Sequence, residues 1–288
     1  MEARWKLVLL LLLAPFACGC ARWNSADLES SSGSPLEPLK PRREQIVVDA
    51  VFLRLSPEQA KSLDAIWSAV DEQAIDPAVR HRLSRNGYRA GYLGHDLPAD
   101  LQALIETAQN PVVDARNLDP AQAHEPGATR HQLYLRDQSR AELVVAPAQA
   151  QLHALVWHDG GVEGSTYQDG QPQFSVQAQQ RPGGRIELRL IPEIHYGPFQ
   201  QHYAAGEASM FRLDARRRRQ TFAELAMAAG LAPGESLLLG RQTAQRGTLG
   251  DRFFGGGEQT PIADRLLLLR LVEEPVDALF APAAPTGD

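Results

Sequence analysis

The chain has 288 residues, of which 43% are hydrophobic, so it is long and apolar enough to bury a sizeable core. Its formal net charge of −6 at pH 7 argues against nucleic-acid binding and against attraction to anionic lipid. The two cysteines, Cys18 and Cys20, both lie near the N-terminus. This position excludes a structural disulfide, a cysteine zinc cluster and a thiol nucleophile in the folded body.

The N-terminal stretch predicts an export signal. Arg4 and Lys6 flank the start of an apolar run at 7–13, which is far shorter than the roughly 20 residues of a membrane span. The small residues before Cys20 resemble the lipobox of bacterial lipoproteins, and the resemblance implies cleavage before Cys20 and a lipid on its thiol. Cys18 is a second candidate for the lipid, and an ordinary secretory signal is the alternative.

The segment after this signal is rich in serine, proline and charge, so it predicts a disordered tether rather than a packed element. Changes in composition along the chain then indicate two folded domains. The predicted organisation is a signal at 1–19, a tether at 20–44, a small α+β domain at 45–109, a linker at 110–127, a mainly β domain at 128–275 and a flexible tail at 276–288.

The first domain is predicted to begin with a strand at 46–55 that is apolar on both faces and therefore covered on both. Ser56 and Gln59 then predict a capping box at the start of a helix. The remaining elements predicted for this domain are a helix from Asp76, a strand at 88–93 and a helix at 97–108.

The second domain shows short strands of period two separated by turns. The predicted elements are a hairpin of 131–135 with 142–146, a strand at 152–157 followed by a glycine-rich loop up to 170, a hairpin of 174–180 with 185–195, and a final strand at 265–272. Residues 221–230 fit a helix by propensity or a strand by context, and we favour the strand. The predicted fold class is α+β, with a small N-terminal α+β domain followed by a mainly antiparallel β domain.

The order of several phrases in the second half resembles the C-terminal region of secretins, the outer-membrane gate proteins of bacterial secretion. The phrases lie at 190–194, 218–227, 234–240, 249–254 and 265–272, within a region from 173 to 276. The resemblance implies a secretin-like C-terminal region and a role in protein secretion, with a pore subunit as one form of that role.

Histidines and carboxylates that could ligate a metal fall close together in one part of the sequence. They are His153, His158, Asp159 and Glu163, with His195 and His202 further on. An exported metal-dependent hydrolase that uses the stretch 153–170 is the alternative function, and solvated histidines at strand ends are the simpler explanation.

Four consecutive arginines, Arg216, Arg217, Arg218 and Arg219, are the candidate partner contact. Guanidinium groups suit an acidic partner, while the alternative is an exposed edge strand that discourages association of sheets. We expect a lipid-anchored protein of the cell envelope with a binding or assembly role and no catalysis, metal or cofactor. Its expected partners are the membrane through the lipid and other protein chains or copies of itself, but not nucleic acid.

Overall fold

Strands dominate the part of the chain that the computed structural model describes, which is residues 45–106, 127–205, 211–256 and 262–272. These residues all belong to the unit Pro41–Asp288. They are 56% strand and 19% helix, so the body is mainly β. The predicted signal, tether and tail, and nearly all of the predicted linker, lie outside the described residues.

The strands are β1 (Gln45–Leu55), β2 (Tyr88–Leu93), β3 (Gly127–Arg136), β4 (Arg140–Val144), β5 (Gln149–His158), β6 (Gly161–Gln180), β7 (Ile186–Ala205), β8 (Phe211–Thr221), β9 (Met227–Leu231), β10 (Ser236–Arg241) and β11 (Asp264–Leu271). The helices are α1 (Leu63–Ser68), α2 (Pro77–Arg85), α3 (Ala99–Glu106) and α4 (Leu249–Phe254), with short 3-10 turns at Gln59–Ser62 and Ala223–Leu225.

Two antiparallel sheets contain these strands. The first has five strands in the order β2-β10-β11-β1-β3. The second has six strands: β4-β6-β7-β8 form its path, while β5 pairs with β6 and β9 pairs with β7. The larger core lies between the sheets, because alternate side chains from both of them belong to one buried cluster.

The first sheet is covered on both faces, as the unbroken apolar pattern of β1 predicts. Val48 and Ala50 point into the core between the sheets. Leu53 points to the opposite face, where it shares a second core with Ile66 and Trp67 of α1. The predicted burial of this strand on both faces is therefore confirmed.

The predicted capping hydrogen bonds form, because each depends only on neighbouring residues, but the segment after Ser56 begins with the 3-10 turn Gln59–Ser62 and becomes α-helical only at Leu63. Ser56 N–H donates to Gln59 Oε1 at 2.9 Å, and Gln59 N–H donates to Ser56 Oγ at 3.3 Å, which completes the capping box. Asp76 caps α2 by accepting from the backbone N–H groups of Ala78 and Val79.

The predicted fold class is wrong: the body is a mainly antiparallel β structure without a distinct N-terminal α+β domain. β1 pairs with β11 and β2 pairs with β10, so strands from the start of the described chain share a sheet with strands from its end. Helices α1 and α3 cover one face of this common sheet, whereas Leu83 of α2 belongs to the core between the two sheets. Hydrophobic periodicity indicates which segments are strands but not which strands pair with each other. For this reason the prediction assigned the first and the last strands of the body to different domains.

The predicted hairpin of 131–135 with 142–146 is wrong as well. β3 pairs with β1 in the first sheet, whereas β4 pairs with β6 in the second. The turn between β3 and β4, in which Gln138 has a φ of 58°, therefore carries the chain from one sheet to the other. The hairpin of β6 and β7 forms as predicted, with Gln180 opposite Ile186.

The ambiguous stretch 221–230 contains both kinds of structure: the 3-10 turn Ala223–Leu225 is followed by β9, so the preference for a strand holds for its second half. Of the stretches that resemble secretins, 190–194 lies in β7, and 218–227 runs from the end of β8 to the start of β9. The stretch 234–240 covers the turn before β10 and most of β10, while 249–254 is α4 and 265–272 lies mainly in β11. The resemblance itself stays a prediction.

Candidate functional site: an arginine-rich sheet edge

The four arginines of the predicted partner contact lie on β8, at one edge of the second sheet. Within the described residues β8 pairs only with β7, so one side of its backbone is not covered by another strand. Arg216, Arg218 and Arg219 are exposed and Arg217 is half-buried. Because successive side chains of a strand alternate, Arg217 and Arg219 lie on one face and the other two on the opposite face.

A bulge in β7 positions Arg217. The register between β7 and β8 shifts between Tyr196 and Gln200. Within this bulge Gly197 has a φ of 73°, and its carbonyl accepts from Arg217 Nε at 2.8 Å. Arg217 Nη2 also donates to the carbonyl of Asp169, which ties β8 to β6. In the described part of the chain, the guanidinium of Arg217 is thus held in place by two neutral carbonyl acceptors.

Phe199 in the same bulge adds an apolar group beside the arginines. Its exposed fraction is 73%, the largest among the exposed large hydrophobic residues of the described chain. The guanidinium of Arg217 lies 5.9 Å from the centre of its ring. An exposed aromatic ring next to an oriented arginine is a composition that is typical of binding surfaces.

A buried carboxylate lies on the same sheet face as Arg219. Glu193 of β7 is opposite Thr221 of β8, and only 2% of its surface is exposed. Its Oε2 accepts from Arg140 Nη2 at 2.6 Å and lies 3.2 Å from His195 Nε2, while its Oε1 accepts from Thr221 Oγ1 at 3.1 Å. We call these four residues the Glu193 cluster.

The pKa of Glu193 is lowered from its ordinary value. Burial by itself would raise the pKa of this carboxyl. The hydrogen bond from His195, the charge of Arg140, the hydroxyl of Thr221 and the charge of Arg219 outweigh that effect. The carboxylate is therefore ionised at neutral pH and fixes the position of β8 on β7.

We expect Glu193→Gln to lower the free energy of unfolding by about 2 kcal/mol at pH 7, because Arg140 loses its close counter-charge. Because the pKa of Glu193 is lower in the folded chain than in the unfolded chain, its carboxylate stabilises the fold at pH values above the unfolded-chain pKa. This stabilisation is lost as the pH falls through the lower pKa of the folded chain. Urea unfolding should therefore show the wild type and the variant converging in acid. Glu142→Gln is the matched control, because Glu142 is exposed and lies 3.4 Å from the same arginine. A difference that persists unchanged in acid would contradict the account.

The predicted metal ligands whose side chains the structure describes do not converge, and the side chain of His202 lies outside the described part of the chain. His153 and His158 lie on β5 and Glu163 on β6; the stretch 161–170, predicted as part of a loop, belongs to strand β6. His153 Nδ1 lies 2.9 Å from Thr166 Oγ1, while His158 Nε2 lies 3.9 Å from Glu163. His195 belongs to the Glu193 cluster instead. Among the residues that the structure describes, no group of three histidine, cysteine or acidic side chains could hold a metal ion.

Cys18 and Cys20, the two candidates for the lipid, lie outside the described residues. No helix in the described part of the chain combines the length and the apolar character that crossing a membrane requires.

The fold and the site define a mainly antiparallel, two-sheet β protein with a basic sheet edge. No family model, no curated protein and no solved structure matches the chain. The sequence indicated the arginines of this edge but missed the Glu193 cluster, for which the alternation of polar residues at Glu193 and His195 was the available signal.

Proposed function

We propose that the chain is a non-catalytic protein of the cell envelope, held to a membrane by a lipid on Cys20, whose folded body binds an acidic, extended segment of a protein partner along β8. The observation that carries the binding proposal is the edge strand with four consecutive arginines. An unpaired edge can accept another strand, and the guanidinium groups select the charge of that strand.

The backbone of β8 supports the addition of a strand. Phe222 N–H, which directly follows β8, donates to the carbonyl of Pro192 at 3.0 Å. Alternate residues of an antiparallel strand bond to the same neighbour. Gln220 and Arg218 thus direct their backbone groups to β7, and Thr221 and Arg219 direct theirs to the open edge.

Charge favours an acidic partner over a second copy of the chain. Two copies joined through β8 would place arginines opposite arginines, which is destabilising for directly opposed residues. An acidic strand would pair glutamates or aspartates with the same arginines. Phe199, beside Arg217, is the apolar contact that such a segment would cover.

A defined peptide tests the binding proposal. We expect a peptide about ten residues long, with alternating glutamate and valine, to bind the folded body with an affinity that falls as salt rises. Reversing two charges, in Arg216→Glu with Arg218→Glu, should weaken binding at least about tenfold, as measured by fluorescence anisotropy. Arg246→Glu is the control, because Arg246 is exposed in the turn after β10. Equal losses in the control and the double variant would contradict the proposal.

A second pair of variants separates backbone pairing from charge. Arg219→Gln removes the charge and keeps the outward N–H group, whereas Arg219→Pro removes both. Binding through strand addition requires the proline variant to bind the peptide clearly more weakly than the glutamine variant. If the two variants bind equally, the peptide contacts the arginines without extending the sheet.

The anchor has its own test. Cys20→Ser should move the protein from the membrane fraction to the soluble fraction, because the thiol that would carry the lipid is gone. Cys18→Ser is the matched control and should leave the protein with the membrane. Cell fractionation with an immunoblot measures both. Retention of the Cys20→Ser variant in the membrane fraction would show that lipidation at Cys20 is wrong.

A further inference from the structure

One face of the hairpin formed by β5 and β6 is apolar and open to solvent. Leu155 and Trp157 of β5 lie opposite Gly164 and Val162 of β6, so the side chains of Leu155, Trp157 and Val162 share one face. The exposed fractions are 43% for Leu155 and 47% for Val162, while Trp157 is half-buried. We call these three residues the hairpin face.

The opposite side of β5 fixes the orientation of the hairpin face. Leu152, Ala154 and Val156 alternate with the exposed residues and belong to the core between the sheets. A rotation of β5 that hid Leu155 from water would bring these three core side chains to the surface, which is unfavourable. The exposure of the hairpin face is therefore set by the register of the strands.

Arginines from two helices border the hairpin face. The guanidinium of Arg85, the last residue of α2, lies 4.1 Å from the centre of the Trp157 ring. Arg252 of α4 donates from Nε to the carbonyl of His153 at 2.6 Å, which holds it beside β5. Both cations are thus positioned by contacts with the hairpin itself.

A third arginine lies in the turn after β10. Arg246 is exposed and directly precedes Gly247, whose carbonyl accepts from Leu155 N–H at 2.8 Å. The carboxylate next to this turn, Asp251, is engaged by Arg241 Nη1 at 2.7 Å and by Gly247 N–H at 2.9 Å. Three arginines from separate parts of the chain therefore surround one apolar face.

The acidic residues of the hairpin lie away from this face. Asp159 is in the turn between β5 and β6, and Glu163 points to the other side of the hairpin because it alternates with Val162 and Gly164. Asp169 lies at the end of the hairpin that is remote from the turn. The charge at the border of the hairpin face is thus positive, which favours an anionic partner.

The backbone of β5 beside the hairpin face is already bonded. Leu155 N–H donates to Gly247, Trp157 N–H donates to Asn86 Oδ1 at 2.8 Å, and the carbonyl of Trp157 accepts from Asn86 Nδ2 at 3.1 Å. A peptide strand therefore has no backbone groups to pair with at these residues. An occupant of this face is recognised by apolar contact and by charge alone.

We propose that the hairpin face, with Arg85, Arg246 and Arg252 at its border, contacts the surface of a lipid bilayer that carries anionic headgroups. Indole and aliphatic side chains enter the boundary between headgroups and acyl chains, and guanidinium groups bind the phosphate oxygens above it. Each basic group near such a surface contributes about 1 kcal/mol. A bilayer offers both kinds of contact at once and requires neither a shaped pocket nor free backbone groups.

This attraction is local, because the formal net charge of the whole chain is −6. The contact is therefore expected to be weak and to depend on salt. It depends neither on a lipid attached to Cys20 nor on the peptide binding proposed for β8, since it uses a different part of the second sheet.

Co-sedimentation with vesicles tests the proposal. The full chain with Cys18→Ser and Cys20→Ser cannot carry a lipid on either cysteine, and it is mixed with vesicles of phosphatidylcholine alone or with added phosphatidylglycerol. We expect more binding to the anionic vesicles, and this excess should fall as salt rises. Equal binding to both kinds of vesicle would overturn the proposal.

Apolar variants in the same background locate the contact. Leu155→Thr with Val162→Thr keeps residues that suit a strand and should weaken binding to anionic vesicles at least about fivefold. Tyr134→Thr is the matched control, because Tyr134 is 53% exposed on β3 of the first sheet. Equal binding by the double variant and the control, with both folded by circular dichroism, would contradict the assigned face.

Charge variants separate this face from β8. Arg246→Glu should weaken binding to anionic vesicles at least about fivefold, whereas Arg216→Glu with Arg218→Glu should leave it within about twofold of the parent chain. The acidic peptide that tests β8 should show the reverse order. If Arg246→Glu and the Leu155 and Val162 variant weaken binding of the peptide and not of the vesicles, the hairpin face recognises protein chains and the lipid proposal is wrong.

Discussion

Gly250→Ala is expected to lower the free energy of unfolding by about 3 kcal/mol or more, because the new methyl group has no space. A Cβ built on Gly250 lies 2.0 Å from the carbonyl oxygen of Gly87 and 2.7 Å from Tyr88 N. Both neighbours are backbone atoms, and the contact is fixed further by Gly250 N–H, which donates to the carbonyl of Asn86 at 2.8 Å. The change therefore pushes α4 away from the start of β2.

Gly94→Ala is the matched control for this prediction, since Gly94 is exposed and a Cβ there meets nothing within 4 Å. Urea unfolding followed by circular dichroism measures both variants. The control should remain within about 0.5 kcal/mol of the wild type. A Gly250→Ala variant as stable as the control would mean that α4 does not pack closely on β2.

Asn86→Ala is expected to lower the free energy of unfolding by about 3 kcal/mol, because the Asn86 side chain bonds to both backbone groups of Trp157 in the second sheet. Trp157 N–H donates to Asn86 Oδ1 at 2.8 Å, and Asn86 Nδ2 donates to Trp157 O and to Arg82 O, both at 3.1 Å. Asn86 is 1% exposed, so its removal leaves buried polar groups of β5 without a partner. The same residue ends α2.

Asn86→Asp distinguishes these hydrogen bonds from packing, because it keeps the shape and the acceptor for Trp157 N–H but places a charged oxygen against two carbonyls. We expect it to destabilise the fold at least as much as alanine does at pH 7 and less in acid, where the carboxyl is protonated. Gln102→Ala, on the exposed face of α3, is the control. Full stability of Asn86→Asp at pH 7 would contradict the assigned amide geometry.

Features that depend on neighbouring residues could be predicted from the sequence. The capping box of Ser56 and Gln59, the cap at Asp76 and the tight connection between β6 and β7 all formed as expected. The burial of β1 on both faces was also readable, because its apolar pattern does not alternate.

Features that depend on strand pairing could not be predicted. Leu55 lies opposite Asp264, and no local pattern relates residues that are so far apart in the chain. The Glu193 cluster has the same origin, since Arg140 reaches Glu193 across two strand pairings. The four arginines were visible in the sequence, but only the order of the strands places them on a sheet edge.

Amide hydrogen exchange along β8, measured by NMR with and without the acidic peptide, tests the central claim most directly. Strand addition predicts slower exchange at Arg219 and Thr221, whose N–H groups face the open edge. Little change is expected at Arg218 and Gln220, which are directed to β7. Peptide binding that leaves the amides of Arg219 and Thr221 unprotected, or no binding to the folded body, would contradict the account.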